Sequence, residues 1–129
     1  MTVVVDSCGW IEYLTDGPLA QYYAGVLEGD EPVAVPTLVL YEVYKFVKRV
    51  SGEERAMVAA AHLCTCTLVP LDEALALEAA DAALAHGLAM ADATVYATAC
   101  RLGAELITSD KDLKGLPGVR FIEAARNPG

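Results

Sequence analysis

Short β-branched apolar runs alternate along the chain with longer stretches of helical periodicity. Val3–Val5 reads as a buried strand. Ser7–Leu14 suits a helix, Asp16-Gly17-Pro18 breaks the chain, and Leu19–Leu27 suits a second helix ended near Gly29-Asp30. Pro32–Val35 reads as a second strand. Pro36-Thr37 then opens a long helix to about Val50, with Thr37 as its N-cap. Ser51 to about Leu63 predicts another helix, and Cys64–Val69 a third strand. Asp72 caps a helix from Glu73 to about Ala85, which His86-Gly87 ends. Ala89–Leu102 predicts a further helix stopped by Gly103, followed by a fourth strand at Ala104–Ile107. Asp110–Leu116 reads as a short helical turn, Val119–Ile122 as a fifth strand, and residues 126–129 are expected to fray.

Strands that alternate with helices imply an α/β fold with a parallel sheet covered on both faces. Right-handed crossovers make it a three-layer α/β/α sandwich, and the expected strand order is 3-2-1-4-5. With 129 residues and no linker, repeat or low-complexity stretch, the expectation is one domain over residues 1–125.

The net charge of -9 counts against a module that holds nucleic acid simply by neutralising phosphates. It leaves room for an enzyme that reaches phosphates through bound cations. No run approaches the roughly 18 apolar residues of a membrane span, and no basic leader precedes Asp6, so a cytoplasmic protein without a membrane partner is expected. Cys8, Cys64, Cys66 and Cys100 make no paired zinc signature and are expected to be small buried hydrophobes, Cys64 and Cys66 on one face of a strand.

Most of the 18 acidic residues need no special account; Glu53, Glu54, Glu73, Glu78 and Asp81 read as solvated helix faces. Four others sit in apolar company. Asp6 follows Val3-Val4-Val5 at the carboxyl end of a strand, the edge where open α/β sheets bind ligands. Glu42 has Leu38, Val39 and Phe46 as its helical neighbours, with Lys45 and Arg49 in reach of an ion pair. Asp92 lies in the first turn of an alanine-rich helix, where negative charge is favourable. Asp110 ends the fourth strand as Asp6 ends the first, and Asp112 is its reserve. Helix capping explains Asp6 and Asp110 singly, and first-turn placement explains Asp92. In the order 3-2-1-4-5, however, all four converge on one crevice, where carboxylates repel unless a cation neutralises them. Oxygen-only ligands favour Mg²⁺ or Mn²⁺.

Val-Val-Val-Asp6-Ser, Leu-Tyr-Glu42-Val, Ala-Asp92-Ala-Thr-Val-Tyr-Ala-Thr-Ala and Leu-Ile-Thr-Ser-Asp110-Lys-Asp occur in an order and spacing that resembles the PIN-domain family, closely the VapC-type toxin ribonucleases of toxin–antitoxin pairs. The resemblance covers essentially the whole chain. It implies a five-stranded parallel sheet and a metal-dependent endoribonuclease whose acidic positions match Asp6, Glu42, Asp92 and Asp110, with Ser7 and Thr108 as polar neighbours. One or two Mg²⁺ or Mn²⁺ ions would activate water for in-line attack on phosphorus, leaving a 5′-phosphate and a 3′-hydroxyl. The resemblance also implies a cognate antitoxin and a homodimer. Lys45, Lys48 and Arg49 form the densest basic patch and are candidates for RNA phosphate contact or a solvated face.

His62 and His86 fall outside these motifs, and no G-x-S-x-G, H-E-x-x-H or phosphate-loop pattern is present. His62, after three alanines, reads as a helix-face residue. A phospho-receiver domain would want paired acids after an early strand, which Asp6-Ser7 does not supply. A catalytically idle PIN-like interaction module is the alternative reading.

Overall fold

The computed structural model describes residues 1–123. The expected domain end at 125 and the fraying of 126–129 lie outside the described residues. Five parallel strands form one sheet: β1 (Val3–Val5), β2 (Val33–Pro36), β3 (Thr67–Val69), β4 (Glu105–Thr108) and β5 (Val119–Phe121). Their order is β3-β2-β1-β4-β5, as the sequence predicts. Six helices alternate with them: α1 (Ser7–Leu14), α2 (Ala20–Leu27), α3 (Thr37–Ser51), α4 (Glu53–Cys64), α5 (Glu73–His86) and α6 (Met90–Leu102), and a 3₁₀ turn spans Lys111–Leu113.

The strands are short because each need only cross the core once. Val4, Val5, Val35, Leu106 and Ile107 are almost wholly buried, and Val39, Val43, Trp10, Tyr23 and Leu63 pack against them from the helices. Strand β1 is central, its Val5 level with Ile107 of β4. That register puts the residues after β1 and β4 side by side at the carboxyl edge of the sheet. Trp10, Tyr13 and His62 meet edge-on, with ring centroids 5.7–6.2 Å apart, so His62, exposed on α4, rests against the two aromatic rings. No single helix is long and apolar enough to cross a membrane.

Several boundaries differ from the sequence reading. Thr37 is the first helical residue rather than the cap; β2 runs through Pro36 straight into α3, and no side chain caps that end. The third strand starts at Thr67, not Cys64. Helix α4 continues through Cys64, and Thr65 closes it by donating its backbone N–H and its hydroxyl to the His62 carbonyl (3.1 and 2.7 Å). Thr65 is β-branched, yet its hydroxyl serves the helix end here. Cys64 and Cys66 therefore do not share a strand face. Nor are the cysteines uniformly buried: Cys64 and Cys100 are exposed, Cys8 and Cys66 half-buried. Glu78 is not merely solvated, because Arg101 of α6 donates to both of its oxygens (3.0 and 2.9 Å), with Asp72 beside them.

Gly9 lets α1 lie close to its neighbours. A Cβ there would collide with the Tyr23 ring and come within 2.7 Å of Val5 Cγ1. Both neighbours are fully buried, so neither can retreat. Gly9→Ala is expected to destabilise the fold by roughly 1–3 kcal/mol through overpacking. Urea denaturation checks this, and an unchanged midpoint would show that α1 can slide.

Candidate active site

Asp6 leaves β1 and caps α1, accepting the Ser7 backbone N–H on Oδ1 (2.8 Å). Its other oxygen, Oδ2, accepts the Thr108 hydroxyl (2.9 Å) at the end of β4. That hydroxyl in turn accepts the Asp110 backbone N–H (3.0 Å). Thr108 thus ties the two strand ends together and fixes one Asp6 oxygen. Asp110 caps the 3₁₀ turn, accepting the Asp112 N–H (2.9 Å). Asp92 enters from the first turn of α6, whose cap residue Ala89 offers no side-chain hydrogen bond. The capping roles of Asp6 and Asp110 and the first-turn placement of Asp92 are all real. They are also what aims the three carboxylates at one point, with oxygens within 4.8 Å of one another.

This arrangement is electrostatically costly when no cation is bound. Asp6 is 5% exposed, and its carboxyl is held above the usual range, first by burial and further by the Asp110 charge. The Thr108 and Ser7 hydrogen bonds pull it back. Asp92 is pushed up to about 7 by burial, then by its hydrogen bond to Asp110 and the charges of Asp110, Asp6 and Asp112. Glu42 on α3 is raised by burial and by Asp6, while the Ser7 hydroxyl and, more weakly, Lys45 lower it. Glu42 therefore feels the cluster but lies outside the group of three. No ion pair reaches it among the described residues; Lys45 lies over the Tyr41 ring (5.5 Å) and Arg49 over Phe46 (5.6 Å).

Ser7, Glu42, Lys45 and Arg49 line a groove of about 300 Å³ with Ile11, Tyr41 and Phe46. Lys48 is not brought to it; it faces Tyr44 and lies 3.8 Å from Glu53. Asp112 is exposed, acting on the cluster through its charge and its backbone N–H. A larger hollow of about 460 Å³ lies at the opposite edge of the sheet, by Tyr96, Cys100 and Gly118, away from the acids.

Two contributors were not foreseen as such. The Cys8 sulfur lies 3.8 Å from Asp6 Oδ2 and 3.7 Å from Thr108 Oγ1, and accepts the Ser109 N–H at 3.4 Å. Burial and the Asp6 charge push its thiol up to about 11, so it packs and orients rather than attacks. Its place two residues after Asp6 was the only available signal. Tyr23 shares a hydrogen bond with Ser109 (2.7 Å), securing the segment before Asp110 across 86 positions, and nothing in the sequence marks that pairing.

Three oxygens in this geometry suit a hard divalent cation. The apo protein meanwhile carries a pH-dependent strain. Asp92 titrates higher folded than unfolded, so its stabilising proton is fully present below about pH 4 and lost as pH rises through about 7. Metal-free protein should lose thermal stability over that window. Discounted for solvent screening, Asp92→Asn should raise its Tm at pH 8 by roughly 2–6 °C and flatten the pH slope. A substitution that lowers Tm at pH 8 would contradict this.

Comparisons with known proteins agree with this architecture. The chain matches the PIN domain family over residues 3–119. No curated protein matches it. A chain of a toxin–antitoxin complex from Klebsiella pneumoniae is similar at 27% identity and a TM-score of 0.79, over 94% of this chain and 98% of that one. VapC20 from Mycobacterium tuberculosis, described as a sarcin–ricin loop cleaving toxin, is similar at 22% identity and a TM-score of 0.75, over 92% and 98%. A chain of DNA-bound VapBC from Salmonella typhimurium shares the fold at 14% identity and a TM-score of 0.74, over 97% and 99%. With the family matched from β1 into β5, the chain belongs to the PIN-domain family.

Proposed function

We propose that the chain is a metal-dependent endoribonuclease, the toxin component of a toxin–antitoxin pair. The convergence of Asp6, Asp92 and Asp110 within 4.8 Å is the observation that carries this reading. Likeness to a chain of a toxin–antitoxin complex supports an antitoxin partner. Pairing of two copies and a cytoplasmic location belong to the same proposal.

In this reading Asp6, Asp92 and Asp110 hold Mg²⁺ or Mn²⁺, one ion or two, and Glu42 is the fourth acid. The bound metal supplies Lewis-acid polarisation of the phosphate and of the attacking water. The chain's own groups do the positioning. Thr108 and the Ser7 N–H orient both Asp6 oxygens, and the Asp112 N–H orients Asp110. The amino-terminal ends of α1 and α6 open on the acids, so their dipoles offset part of the negative charge. Lys45 and Arg49, which line the groove together with Ser7, are the groups that meet phosphate in this reading.

Cleavage of a mixed, end-labelled RNA pool tests this. Wild type should cut with Mg²⁺ or Mn²⁺ and stop with EDTA, and Asp6→Asn or Asp92→Asn should abolish cutting. Cutting that survives EDTA or both substitutions would sink the metal-site reading, and no cutting of any RNA would favour an idle interaction module. Thr108→Val should weaken Mn²⁺ binding by roughly 10–100-fold while the protein stays folded. Unchanged Mn²⁺ affinity would show that Thr108 does not orient the cluster.

A further inference from the structure

The groove beside Glu42 combines features that the acidic site alone does not explain. Four of the nine basic side chains, Lys45, Lys48, Arg49 and Arg55, lie within one short stretch of a chain whose net charge is -9. Along α3, cations and aromatic rings interleave: Lys45 over Tyr41, Lys48 over Tyr44 and Arg49 over Phe46. The structure then sorts them. Lys48 turns to Glu53, whereas Lys45 and Arg49 line the groove with Glu42 and Ser7. Tyr41 also lines that groove, is 58% exposed and is not among the side chains packed against the core.

Tyr41 precedes Glu42 in the chain, and Ser7 follows Asp6, so the groove begins where the acids end. An aromatic face flanked by cations offers what an unpaired nucleotide needs: a surface on which a base stacks and charges for its phosphate. A base inside a duplex is already stacked on both faces and cannot use it. The groove's volume, about 300 Å³, is at the lower end of small-ligand pockets, so it has room for a single unit rather than a helix.

Building on the reading of the acids as a phosphodiester-cutting centre, we propose that the α3 groove is a nucleotide subsite for single-stranded RNA. Tyr41 is the stacking platform for the base next to the scissile phosphate, and Lys45 and Arg49 hold the adjoining phosphate. Tyr41 is thereby a positioning residue that sets one unpaired base beside the scissile phosphate.

The test uses an RNA oligonucleotide carrying 2-aminopurine, whose fluorescence falls on stacking, titrated with full-length protein in Ca²⁺, alongside a cleavage assay in Mn²⁺. Wild type and Tyr41→Phe should quench the single strand. Tyr41→Ala should abolish the quench, weaken binding roughly 5- to 100-fold and raise KM more than it lowers kcat. Lys45→Ala and Arg49→Ala should each lower the slope of log affinity against log salt by about 0.7 while leaving the quench in place. Circular dichroism confirms that each variant is folded. Binding without quench, no binding, equal affinity for a matched duplex, or unchanged behaviour of Tyr41→Ala would each overturn the subsite. The two readings fail separately: quench without cleavage in Mn²⁺ removes the nuclease and leaves the platform, whereas cleavage indifferent to Tyr41→Ala removes the platform alone.

Discussion

The pairing of β1 with β4 is the constraint from which the rest follows. Val5 stands level with Ile107, and the Asp6 N–H continues the ladder to the Ile107 carbonyl at 3.1 Å. Because the strands are parallel, both chains leave the sheet at the same edge. Asp6 and Thr108 are therefore forced together although 102 positions separate them. Every later contact at the site, from the Thr108 hydroxyl to the cap of the 3₁₀ turn, hangs on that register. A slip of one residue would turn Asp6 to the other face of the sheet.

The same register explains how repulsion is sustained. Three carboxylates with oxygens inside 4.8 Å would separate if they were free to move. They are not free: Asp6 is buried and held through both oxygens, Asp110 is tied into a turn, and Asp92 is carried on a helix whose residues 93–99 are all buried. The repulsion is stored instead as raised proton affinity, most plainly at Asp92. A rigid, electron-rich pocket of this kind is preorganised for a cation, since the folding of the core has already met the cost of assembling the ligands.

The sequence disclosed much of this because the informative residues are local. Val3–Val5 before Asp6, and the apolar run before Asp110, mark strand ends without any tertiary knowledge, and alternation of strands and helices implies the parallel sheet, though not by itself the strand order. Glu42 was visible as an acid among Leu38, Val39 and Phe46, but not its separation from the other three, which depends on where α3 crosses the edge. The third strand was placed too early because Thr65 favours strand intrinsically yet closes α4 through its hydroxyl. Cys8 and Tyr23 escaped notice because their roles exist only through contacts with residues about a hundred positions away. Lys45, Lys48 and Arg49 were legible as a basic patch, but which of them share a groove with Tyr41 was not.

On the proposed reading, the three converging acids of this PIN fold form a cation site. Anomalous diffraction from crystals grown with Mn²⁺ addresses it directly. A single strong peak, or a close pair, is expected among the oxygens of Asp6, Asp92 and Asp110, with Thr108 still bonded to Asp6. No peak there at saturating Mn²⁺, or a peak that excludes Asp6, would contradict it.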